Sequence, residues 1–77
     1  MRELNTIAAD IEQKWQNVNY AARPYLDAMH KLKSVNDKYY TESAKSVVLY
    51  FLSNAKGWRG ENARAIKDEL KAMFNVK

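Results

Sequence analysis

Apolar side chains return at three- and four-residue steps through four stretches of this chain, and a helix is the element that gathers such a spacing onto one face. Leu4, Ile7, Ala8, Ile11, Trp15 and Val18 form the first stripe, with Asp10, Glu12, Gln13 and Gln16 directed elsewhere. The spacing predicts a helix over about 3–17, with Asn17 and Asn19 bracketing its exit. Pro24 belongs near the first turn of a second helix, where its missing N–H costs least. Tyr25, Met29 and Leu32, with Leu26 beside them, place that helix at about 23–33. A third helix is expected over 42–55 on Ala44, Val47, Val48, Phe51, Leu52 and Ala55, with Thr41 as N-cap and Glu42 near the positive helix end. The run from Val47 to Phe51 would also suit a buried strand, but the helical period and the lack of a partner strand favour helix. Leu49 and Tyr50 carry apolar character round this segment, which predicts a central position for it. Ala63, Ile66, Leu70, Met73 and Phe74 make the face of a fourth helix, about 61–74.

Between these stretches, Ser34 to Lys38 reads as a polar loop, and Tyr39 and Tyr40 are expected to lie against the core. Gly57 is placed to end the third helix in a left-handed conformation, with Lys56 suited to the negative helix end. The expectation is therefore an all-α fold, a compact bundle of about four helices, with residues 1–77 as a single domain. A chain of 77 residues buries only ~60% of the surface its unfolded form exposes and needs a dense core. The 47% of apolar residues, with two Trp, five Tyr and two Phe, can supply one.

Several function classes find no support. The absence of cysteine excludes a disulfide framework and a thiolate metal site, and fits a reducing compartment. His30 is the sole histidine and has no neighbouring ligand set, so neither a metal nor a cofactor is implied. Ser43, Ser46 and Ser53 lack a glycine-flanked elbow or an adjacent base, and Gly57 and Gly60 form no phosphate-cradling loop. No enzymatic activity is expected. The longest apolar run, Val47 to Leu52, is six residues, and the N-terminal segment lacks a signal-peptide core. These features predict a soluble, cytoplasmic protein without a membrane partner.

Charge is unevenly distributed. The net +4 divides into −1 over residues 1–27, +4 over 28–60 and +1 over 61–77, so an anionic partner is expected at the middle or C-terminal part. Arg64, Lys67 and Lys71 fall within about a 60° arc of the last helix at 100° per residue. Lys67 and Lys71 are like charges at i,i+4, an unfavourable pair unless something compensates. Arg64 has acids in reach at Asp68 and Glu61. Trp58-Arg59-Gly60 is the most unusual local feature: a tryptophan in a tight turn either plugs the end of the core or anchors a partner, and Arg59 beside it can stack on the indole, bridge to the acids of the first helix, or bind an external carboxylate or phosphate. Trp58, Arg59, Arg64, Lys67 and Lys71 are thus the candidate partner-binding residues.

The stretches Asn19-Tyr20-Ala21-Ala22-Arg23-Pro24-Tyr25-Leu26, Tyr50-Phe51-Leu52-Ser53-Asn54-Ala55, Trp58-Arg59-Gly60, Ala63-Arg64 and Lys67-Asp68-Glu69-Leu70 together resemble short helical proteins of bacterial genomes and prophages. That resemblance covers about residues 5–72. It implies a compact helical protein that acts by binding a host or phage macromolecule, and it carries no functional residues over. The function expected first is a non-catalytic adaptor or modulator that binds another protein. The alternatives are a small DNA-binding protein using a helix-turn-helix-like pair at 42–74, in which case nucleic acid is the partner, and a structural homodimer.

Overall fold

The computed structural model describes residues 2–75. Its four helices are α1 (Leu4–Lys14), α2 (Arg23–Met29), α3 (Ala44–Ser53) and α4 (Glu61–Met73). α1 lies between α2 and α4, and α2 lies between α1 and α3, so the helices follow the spatial order α4, α1, α2, α3. The predicted apolar stripes form the interior: Leu4, Ile7 and Ile11 of α1, Leu26 and Met29 of α2, Val48 and Phe51 of α3, and Ile66 and Leu70 of α4 are all buried. The four amphipathic periods thus produce a mostly helical fold, with one departure from a purely helical one.

That departure is a two-stranded antiparallel ribbon, β1 (Lys38–Tyr39) and β2 (Glu42–Ser43), in the register Lys38 to Ser43 and Tyr39 to Glu42. The all-α expectation is corrected here, as is the expected start of the third helix at 42. Asp37 organises the entry to the ribbon. Its carboxylate accepts from the backbone N–H groups of Lys33 at 2.8 Å and Ser34 at 3.2 Å, and its carbonyl accepts from Ala44 N–H. The Lys33 N–H, followed by that of Ser34, holds the Asp37 carboxyl below its ordinary range. Ser43, rather than Thr41, is the N-cap of α3, its hydroxyl accepting from Ser46 N–H at 3.1 Å. Tyr39 packs against the core, but Tyr40 occupies the ribbon turn with φ +56° and is 84% exposed, against the expectation that both tyrosines pack inward. A turn that reverses the chain in two residues demands a positive φ, and here tyrosine fills the place glycine fills most easily.

The helix ends also differ from the expected ones. α1 stops at Lys14, and Trp15 leaves helical geometry (φ −107°, ψ 90°) with its indole turned into the core. α2 is helical only to Met29, after which Lys31 and Leu32 donate to the carbonyls three residues back, tightening the chain through the end of the predicted range. α3 ends before Gly57, and the glycine with positive φ is Gly60 (+110°), at the N-cap of α4. The chain turns just after α3, where the Trp58 N–H donates to the Ala55 carbonyl, and again at Gly60, and α4 packs against α1. α3 packs on α2 and on the ribbon, with Leu49 and Tyr50 on its solvent side. No helix among the described residues is long and apolar enough to cross a membrane.

Candidate functional site

Aromatic packing sets the corner between α3 and α4. Trp58 is only 6% exposed, and its ring lies parallel to that of Trp15 with centroids 5.3 Å apart; Trp15 meets Phe51 edge-on at 6.1 Å. Of the two roles a turn tryptophan can take, Trp58 plugs the end of the core. The backbone on either side of it is thereby fixed, and Arg59 is carried outward on a rigid base.

Lys67 completes the corner from α4. Its ammonium donates to the carbonyls of Ala55 at 2.7 Å and Trp58 at 2.6 Å, and stands 5.8 Å from the centre of the Trp58 ring. These carbonyls belong to the turn that leaves α3, where the Ala55 carbonyl also accepts from the Trp58 N–H at 3.0 Å, and the negative end of the helix dipole favours a cation nearby. Burial first, then the charges of Lys71 and Arg59, lower the Lys67 ammonium below its ordinary 10.5. The two carbonyls offset that unfavourable setting.

Around this corner runs a groove of about 330 Å³ that brings all five candidate residues together. Trp58, Gly60 and Ala63 line it beside the cations Lys56, Arg59, Arg64, Lys67 and Lys71, with Asp68 as the one acid. Five cations against one carboxylate leave a local formal charge of +4. Arg64 makes no ion pair within 4 Å among the described residues, although Glu61 and Asp68 lie at suitable sequence spacing.

The acids elsewhere are treated differently. Arg2 bridges Glu69 at 2.7 Å and Asp10 at 3.0 Å, and Lys14 also reaches Asp10 at 3.0 Å. Arg23 joins Glu12 and Asp27, while His30 meets Glu12 at 3.1 Å. Arg2 holds the Glu69 carboxyl low, Lys14 and then Arg2 hold Asp10 low, and Arg23 does the same for Glu12. His30 is thereby engaged in a bridge between α1 and α2. No group of three or more His, Cys, Asp or Glu residues is arranged to hold a metal ion among the described residues.

The groove's third dimension was not readable from the sequence. The arc of Arg64, Lys67 and Lys71 follows from helical spacing, but the carbonyls that receive Lys67 come from residues 9 and 12 positions away. One signal did point there: the like-charged pair at 67 and 71 called for a compensating partner. No family model, curated protein or solved structure matches the chain.

Proposed function

We propose that this chain is a non-catalytic binding protein whose basic groove at the α3–α4 corner docks an acidic segment of a protein partner. One observation carries the reading: five cations converge on a single concavity that holds one carboxylate, Asp68, while Asp10, Glu12, Asp27 and Glu69 are paired with Arg2 and Arg23. Gathering like charges costs free energy in the unbound protein, and an anionic partner relieves that cost. Arg59 and Arg64 are the principal contacts, because a guanidinium presents a planar fork of donors that matches a carboxylate. Trp58 acts from beneath as their support. Lys56 and Lys71 form the rim and chiefly speed association with an acidic surface. The resemblance to short prophage proteins accords with a role performed by binding.

Duplex DNA is the second reading, favoured by the position of Arg64 and Lys71 on one flank of a helix that follows a tight turn. A fluorescence-anisotropy titration separates the two. Labelled polyglutamate peptide and a mixed-sequence duplex are each titrated at low salt with wild-type protein and with an Arg59→Ala/Arg64→Glu variant whose thermal melt is unchanged. Polyglutamate binding that disappears in the variant supports the proposal. Preferential duplex binding with a steep salt dependence transfers the function to nucleic acid. If neither ligand binds, the groove is only a solvated basic flank.

A further inference from the structure

The groove's charge exceeds what a carboxylate can neutralise. One carboxylate seated among Lys56, Arg59, Arg64, Lys67 and Lys71 removes a single unit from a local formal charge of +4. A phosphate monoester brings about −1.5 to −2 charges at neutral pH and three strong acceptor oxygens. Resting on the acidic-partner reading above, we infer that the groove selects a phosphorylated side chain of a protein partner over an unmodified Asp or Glu.

The arrangement of donors supports this choice. Arg59 and Arg64 come from two different elements, the turn and α4, and both line the same concavity. A planar carboxylate has two oxygens and fits one fork, whereas a tetrahedral phosphate can offer separate oxygens to both. Lys67 has donors committed to the carbonyls of Ala55 and Trp58, which fixes its charge at the groove wall. It thus acts as a positioning residue, holding the turn that carries Arg59 against α4.

Convergence also argues against a nucleic-acid backbone. A duplex carries one negative charge per about 1.7 Å of axis, and a surface that follows it spreads its cations along a track. Here the five cations line one concavity of about 330 Å³ together with Asp68 rather than following a track.

The test uses the full chain, labelled with ¹⁵N, and follows amide shifts around residues 59–64 during titration at pH 7.5. Four probes are compared: a short capped phosphoserine peptide, the same peptide with glutamate in place of phosphoserine, inorganic phosphate, and dimethyl phosphate as the diester monoanion. The phosphoserine peptide is expected to bind about tenfold more tightly than the glutamate peptide, the ratio that ~1.4 kcal/mol represents. It is also expected to bind more tightly than inorganic phosphate or dimethyl phosphate. Its affinity should fall several-fold between pH 7.5 and 5, because the second phosphate ionisation lies near pH 6. Arg59→Ala and Arg64→Ala, each with an unchanged melt, should each weaken it about tenfold. Should either variant fail to fold, Lys71→Ala supplies the same comparison from the rim. Equal affinity for the phosphoserine and glutamate peptides overturns the inference while leaving an acidic-partner groove in place. Equal or tighter binding of inorganic phosphate or dimethyl phosphate overturns it in favour of a free anion or a nucleic-acid backbone. Absence of shifts with every probe overturns both the inference and the proposed function.

Discussion

Replacing Lys67 by methionine tests the structural part of the groove apart from its proposed binding role. Methionine preserves most of the apolar stem against Trp58 and removes the ammonium that joins α4 to the carbonyls of Ala55 and Trp58. A hydrogen bond to a charged group contributes about 1.5–3 kcal/mol, the lower end applying where water can replace it. Lys67 is half-buried, so both carbonyls regain some hydration and their loss costs about 2–3 kcal/mol together. Relief of repulsion with Lys71 and Arg59 returns a few tenths of a kcal/mol for each pair. The net expectation is a loss of about 1–2 kcal/mol. For a domain of this length that lowers Tm by roughly 5–15 °C.

The assay is thermal unfolding by far-UV circular dichroism, with the near-UV signal of the Trp15–Trp58 stack followed in parallel. Lys71→Met serves as the control, because Lys71 makes no such carbonyl contacts and its removal should leave stability within about 0.5 kcal/mol. A Lys67→Met protein that melts within one or two degrees of wild type would refute the reasoning. The Lys67 ammonium would then be a solvated charge, and the turn carrying Arg59 would not be braced by α4.

Three further outcomes test the fold and its electrostatics. Phe51→Ala removes a fully buried ring that contacts Trp15 and should cost about 3–5 kcal/mol, enough to unfold much of the population; a cooperative melt close to wild type would contradict that packing. Tyr40→Gly should leave Tm unchanged or raise it, since relief of a positive φ, worth about 1–3 kcal/mol, outweighs loss of the edge contact with Tyr39; a fall of several degrees would show the aromatic contact to be the larger effect. Asp10, Glu12 and Glu69 are held below their ordinary values when folded. Their contribution is therefore fully present above about pH 5 and lost as pH falls through 4.5 and below. Arg2→Ala should flatten that acid limb in a urea-unfolding series across pH, and an unchanged slope would remove Arg2 as its cause.

The helices were legible because their apolar spacing states a face without reference to anything distant. Ile7, Ile11, Phe51, Ile66 and Leu70 occupy the interior that the period assigns them. The ribbon at 38–43 was not legible because strands of two residues show no alternation, and adjacent tyrosines read equally well as core or as turn. The two glycines were told apart only by the backbone: Gly57 lacks the positive φ that Gly60 has at the N-cap of α4. For the groove, helical spacing supplied Arg64, Lys67 and Lys71, and adjacency supplied Arg59. Its depth depends on Trp58 stacking on Trp15, 43 residues earlier in the chain. The Lys67 contacts were hidden for a different reason, since a backbone carbonyl leaves no trace in the residue code.

The contrast between the two faces of this molecule bears on function more than the total charge does. A net +4 spread evenly would imply little beyond solubility. Here Arg2 and Arg23 each join two acids and stitch α1 to α4 and α1 to α2, so those arginines are engaged within the fold. Arg64 has Glu61 three residues before it and Asp68 four residues after it, spacings at which pairs form readily on a helix, yet no ion pair forms. The cations at the α3–α4 corner thus combine mutual repulsion and a backbone held by stacked indoles, with Lys56, Arg59 and Arg64 exposed to solvent. A surface selected for stability alone gains nothing from that combination, because surface pairs contribute up to about 1 kcal/mol and like-charge clusters oppose folding. Under the proposed function, an anion seated at this corner would convert that repulsion into attraction.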